Sequence, residues 1–179
     1  MRFLLDTNVL AYFFEARRHS ELADAAAIEP CAIADDVKRE LEADAQRHQL
    51  FATWMQSSSV GVLPIIVGSP ADRVFCELES SASTARGRGE RASIALASAE
   101  PRLTLVTMDK GALWIALREL WAPGERLIGL PVFLRRLVDG AALDRDAAQD
   151  VMEASRQLRP TWWVHWWKGD TDAPTRNLV

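Results

Sequence analysis

Short apolar runs alternating with segments at helical spacing constrain this chain more than anything else in it. Residues 2–5, Arg-Phe-Leu-Leu, break off at Asp6-Thr7-Asn8, and residues 9–14 continue with mixed apolar spacing, which reads as strand, polar loop and helix. Residues 31–34 make a second short strand. Asp35 and Asp36 then cap a helical stretch that runs through Val37, Leu41 and Ala45 to about Met55. A third apolar run spans 60–67 and is interrupted by Pro64. Ser69-Pro70 has the chemistry of a helix start, and that helix stops near Gly87. Glu90 opens the next helix, carried by Ile94, Ala95, Leu96 and Ala97. Residues 103–106 give a fourth strand, 110–121 a further helix, and 126–130 a fifth strand. Two last helices span 131–138 and a segment capped by Asp144 that runs to about Leu158. Strands alternating with helices imply βαβ units. The expected class is therefore α/β, a parallel sheet flanked by helices on both faces in a three-layer α/β/α arrangement.

At 179 residues the chain has the length of one domain with a proper core. The expected division is a domain over residues 1–140, with 141–179 as a C-terminal helical extension and Trp-rich tail packed on the same domain. In that tail Trp162, Trp163, Trp166 and Trp167 fall at offsets that line one side of a helix. Such rings stack bases or pack against the body or a second subunit, and the packing role is preferred, with self-association as its consequence.

The apolar run at the amino terminus is stopped by an acid far sooner than a signal-peptide core or membrane span permits, so no membrane partner is expected. Cys31 and Cys76 are isolated, which suits a reducing cytoplasm, and His19, His48 and His165 offer no zinc spacing. Any metal would be a hard ion held by oxygen. The net charge of -4 is unlike that of most nucleic-acid proteins, but the arginines are grouped: Arg17 with Arg18, Arg86 with Arg88 and Arg91, and Arg135 with Arg136.

Asp6 stands where the first strand ends and Asp109 just past the end of the fourth, and the carboxyl ends of parallel strands are where sites are built. Each also has the position of a helix cap. Glu40 lies on the margin of its helix's apolar stripe, beside Leu41, and Glu90 lies four residues before Ile94, preceded by Gly87 and Gly89, which let the backbone pass close to another element. Glutamate in a first turn also suits the helix dipole. If the four converge they repel one another, burial raises at least one pKa, and a divalent cation resolves the conflict. An all-oxygen ligand set selects Mg²⁺ or Mn²⁺.

These residues resemble a family. Leu-Leu-Asp6-Thr7-Asn8, then Val37-Lys-Arg-Glu40-Leu41, then Gly89-Glu90-Arg91 before Ala-Ser-Ile-Ala-Leu-Ala, then Leu-Val-Thr107-Met108-Asp109 resemble, in that order over residues 2–140, the PIN-domain family. The Gly-Glu third motif is similar to that of prokaryotic VapC-like members. The resemblance implies a metal-dependent endoribonuclease acting on single-stranded or structured RNA in the cytoplasm, either the toxin of a toxin–antitoxin pair, with an antitoxin protein as partner, or a free-standing relative. Carried over, Asp6, Glu40, Glu90 and Asp109 are the catalytic and Mg²⁺- or Mn²⁺-binding acids, Thr7, Asn8 and Thr107 the supporting polar groups, and Arg86, Arg88, Arg91 and Lys110 the contacts to RNA. Two departures accompany it: Met108 stands before the fourth acid where a polar residue is usual, and Lys110 follows closely enough to compete with a cation. The rival reading is a PIN-like module that binds RNA or protein without turnover. A phosphoryl-transfer receiver or phosphatase would require a second acid beside Asp6 or an Asp-x-Asp pair, and neither is present.

Overall fold

The computed structural model describes residues 2–43, 48–82, 87–120 and 123–158. Five strands form one sheet: β1 (Arg2–Leu5), β2 (Cys31–Ala34), β3 (Gly61–Leu63), β4 (Leu103–Val106) and β5 (Leu127–Ile128). All pair in parallel in the order β3-β2-β1-β4-β5, with Phe3 opposite Cys31 on one side and Thr104 on the other. Helices flank the sheet in three layers, as the alternation of the sequence requires. Between β1 and β2 lie α1 (Thr7–Glu15) and α2 (His19–Ile28), and between β2 and β3 lie α3 (Asp35–Ala43) and α4 (His48–Ser57). The crossover to β4 carries α5 (Pro70–Ser81) and α6 (Arg88–Ala99); α7 (Lys110–Glu119) and the one-turn α8 (Pro123–Arg126) lead to β5, and α9 (Leu130–Asp139) and α10 (Arg145–Leu158) follow.

β1, β2 and β4 are buried almost throughout, as expected of strands covered on both faces. α6 rests on β1, β2 and β4. Phe133 of α9 meets β1 with its ring edge-on to Phe3 at 5.0 Å. Ala147 and Val151 of α10 belong to the same continuous core as Leu4 and Ile33, so the described part of the segment after residue 140 packs on the sheet domain. Arg18 fastens α10 from outside through Asp150, at 2.7 Å. The tryptophans of the tail lie outside the described residues, and no helix among the described residues is long and apolar enough to cross a membrane.

The elements depart from the sequence reading in five places. α5 ends at Ser81 instead of near Gly87, and the strand expected over 126–130 is only Leu127–Ile128, between α8 and α9. α2 was not expected: its Ala-rich segment has weak amphipathic contrast, with Leu22, Ala25 and Ala26 buried, and its N-cap Arg18 offers no side-chain capping bond to the helix's first amides. The stretch read as one helix to about Met55 consists of α3 and α4. The third strand is only Gly61–Leu63, because Pro64 has no N–H to donate to a ladder.

Candidate active site at the strand-end crevice

The strand order reverses at β1. The chain winds outward through β2 and β3, then returns to place β4 on β1's other side, so the carboxyl ends of β1 and β4 border the crevice where doubly wound sheets hold ligands. The ladder itself delivers the first acid there. The Asp6 N–H donates to Val106 C=O at 3.1 Å, the Asp6 carbonyl accepts from Val9 and Leu10 to start α1, and the side chain caps that helix by accepting from Thr7 N–H at 2.7 Å. The two readings of Asp6, helix cap and site acid, are therefore compatible. Asp6 is nevertheless 1% exposed, an unusual depth for a capping carboxylate.

Thr107 completes its surroundings. The Thr107 hydroxyl donates to Asp6 Oδ2 at 2.8 Å and accepts from Asp109 N–H at 3.1 Å, so one buried side chain joins the two strand-end acids. Asp109 caps α7, its Oδ1 accepting from Gly111 and Ala112 N–H at 2.7 and 3.0 Å. Glu40 reaches in from α3. Its Oε2 accepts the Thr7 hydroxyl at 2.7 Å and its Oε1 accepts the Gly89 N–H at the start of α6 at 2.8 Å. The glycine is required there: a Cβ on Gly89 would lie 2.7 Å from Glu40 Oε2 and 2.9 Å from Val37 Cγ2, so α6 could not approach α3 as it does.

The amino ends of α1, α6 and α7 thus all face the same crevice, each with a carboxylate accepting from its first-turn amides. The positive ends of the three helix dipoles offset part of the repulsion among the acids. They do not offset all of it. Burial pushes the Asp6 carboxyl from the ordinary 3.8 up to about 6; the hydrogen bonds from Thr107 and Thr7 pull the other way, and the charges of Asp109 and Glu40 add to the rise.

Asp6, Glu40 and Asp109 therefore share one electrostatic neighbourhood with Thr7 and Thr107. Glu90 occupies the first turn of α6, with its carboxylate near the helix start: a Cβ on Gly87, whose φ is +73°, would lie 2.6 Å from Glu90 Oε2. Asn8 stands half-buried in the first turn of α1, and Lys110 is exposed at the start of α7. Arg88 is exposed and donates to Asp36 and Glu79 at 2.7 and 2.9 Å, whereas Arg91 is buried and pairs through Nε with Glu79. Arg86 lies outside the described residues. Sequence reasoning passed over Glu79 altogether and read Asp36 only as a cap, since nothing in their local spacing marks a partner on another helix.

Among the described residues no group of three or more His, Cys, Asp or Glu side chains stands in position to hold one metal ion. The donor chemistry still suits a hard cation, since the acids are all carboxylates and one is held near pH 6 partly by its neighbours' charge. Compared with protein-family models, curated proteins and solved structures, the chain matches none.

Proposed function

We propose that this chain is a divalent-metal-dependent endoribonuclease of the PIN type, cutting single-stranded or structured RNA, with the toxin of a toxin–antitoxin pair as one setting for it. The observation that supports the reading is the meeting of Asp6, Glu40 and Asp109 at the β1–β4 switch point, with two threonine hydroxyls and three helix amino ends around them. A sheet's switch point is where doubly wound folds hold ligands, and a buried carboxyl with a raised pKa in such a crevice is what a functional site carries.

In this reading Asp6, Glu40, Glu90 and Asp109 hold Mg²⁺ or Mn²⁺. The ion, when bound, supplies a lowered water pKa and electrostatic stabilisation of the phosphoryl group. The protein's own part is orientation and attraction. Thr107 and Thr7 fix the rotamers of Asp6 and Glu40, and the amino ends of α1, α6 and α7 favour an anionic phosphate. Lys110, exposed beside Asp109, adds a cation at the mouth.

Calorimetric titration with Mn²⁺ and Mg²⁺, paired with cleavage of matched RNA and DNA oligonucleotides, tests the reading. Saturable heat and metal-dependent cutting of RNA are expected, with salt weakening substrate binding. No heat at millimolar ion refutes the metal site, and equal or better cutting of DNA refutes the RNA assignment. The internal engagement of the Asp6 and Glu40 oxygens favours one second reading, a PIN-like module that binds RNA or protein without turnover. Fully metal-loaded protein that binds RNA and leaves it intact would establish that alternative.

A further inference from the structure

Outside the crevice, a carboxylate on α5 holds both arginines of α6's first turn. Glu79 Oε1 accepts from Arg91 Nε, and Glu79 Oε2 accepts from Arg88 NH1 at 2.9 Å. Arg88 continues to α3, donating from Nε to Asp36 Oδ1 at 2.7 Å, with its guanidinium over the Phe75 ring at 4.7 Å. Arg91 is only 8% exposed, and a guanidinium so covered is tolerated only where a carboxylate answers it. The residue between Arg88 and Glu90 is Gly89, whose N–H holds Glu40.

We infer that Glu79 is a positioning residue for the crevice: through Arg91 and Arg88 it fixes the first turn of α6, and so the Gly89 amide that orients the Glu40 carboxylate. On this assignment Arg88 and Arg91 clamp three helices together instead of binding RNA phosphates. The inference rests on the proposed function for its catalytic meaning, while its structural content is independent of it. The chain of contacts is short. Glu79 binds Arg91, Arg91 is two residues from Gly89, and Gly89 has no room to shift toward α3, since Glu40 and Val37 already fill that side. Loosening the clamp moves the turn outward and lengthens the Gly89–Glu40 bond. Asp109 and α7 are held by separate bonds, from Gly111 and Ala112, which do not involve Glu79.

Amide exchange followed by NMR on the full, metal-free chain tests this, comparing wild type with Glu79→Gln and Arg88→Gln. Glu79→Gln should speed exchange at Gly89 at least tenfold and leave Gly111 within twofold of wild type, with Arg88→Gln giving a smaller effect because Arg91 keeps its partner. If wild type cuts RNA with Mn²⁺, Glu79→Gln should lower kcat with KM little changed. Gly89 exchange unaltered by Glu79→Gln overturns the inference. Equal acceleration at Gly89 and Gly111 overturns it too, since that pattern means general destabilisation. A wild type that cuts no RNA defeats the nuclease reading and leaves the amide result to decide the clamp.

Discussion

Replacing Asp6 with Asn should make the metal-free protein slightly less stable than wild type at acid pH and more stable than it at neutral pH and above. The folded carboxyl titrates near 6 instead of 3.8, so between these values the folded chain keeps a proton that the unfolded chain has released. Stability therefore falls as pH climbs through this window, and levels off above it. A rise of about two units, at about 1.4 kcal/mol each, amounts to about 3 kcal/mol lost by wild type between pH 4 and pH 8. Asn keeps the side-chain shape and serves as a helix cap about as well as Asp, so its bond from Thr7 N–H survives. It cannot accept the Thr107 hydroxyl at Oδ2 in the same way, which costs about 1 kcal/mol. Asp6→Asn should thus be about 1 kcal/mol less stable than wild type at pH 4 and about 2 kcal/mol more stable at pH 8. Urea unfolding in EDTA at half-unit pH steps measures this, and the difference between the two proteins reports the Asp6 carboxyl together with its coupling to Asp109 and Glu40. A difference flat within about 0.5 kcal/mol would mean that Asp6 does not carry the burden that its burial and neighbours imply.

Mn²⁺ should reverse the order of the two proteins: a ligand that binds only the folded state at a hundredfold excess over its Kd adds roughly 2.7 kcal/mol to wild type, and thermal melts of Asp6→Asn should show little of that shift. Gly89→Ala, which sets a methyl 2.7 Å from Glu40 Oε2 and 2.9 Å from Val37, should destabilise the fold by about 1–3 kcal/mol in urea and abolish RNA cleavage. Thr107→Val removes the donor to Asp6 and the acceptor for Asp109 N–H; a loss of about 1–3 kcal/mol at neutral pH is expected, and the Asp6 carboxyl, followed by NMR, should titrate above the wild-type midpoint of about 6.

The sheet was legible because its evidence is local. A parallel strand buried on both faces is a short apolar run, and Asp6 and Thr107-Met108-Asp109 mark where two such runs end. That Gly89 brings α6 close to another element was legible for the same reason, since a glycine just inside a helix start has few other uses. The order of strands was not in the local pattern, yet it is what puts the ends of β1 and β4 side by side. The Glu90 side chain marks another limit: spacing gives its turn of α6 but not the rotamer that brings its carboxylate near Gly87. Glu79 and Arg91 were illegible as a pair, because an ion pair between two helices leaves no periodicity in either. α2 escaped notice because alanines fill its buried side with little contrast to the rest.

The bond from Thr107 to Asp6 joins residues 101 positions apart, and it forms only when β4 lies down against β1. A chain growing from its amino end can pair β1 with β2 early and bring Glu40 to Thr7, but the opposite wall, with Gly89, Thr107 and Asp109, has not yet been made. A contact of such long range also carries the loop-closure entropy of the whole crossover. On the nuclease reading, a nascent chain on the ribosome is therefore harmless to the message that encodes it until the β1–β4 crossover closes.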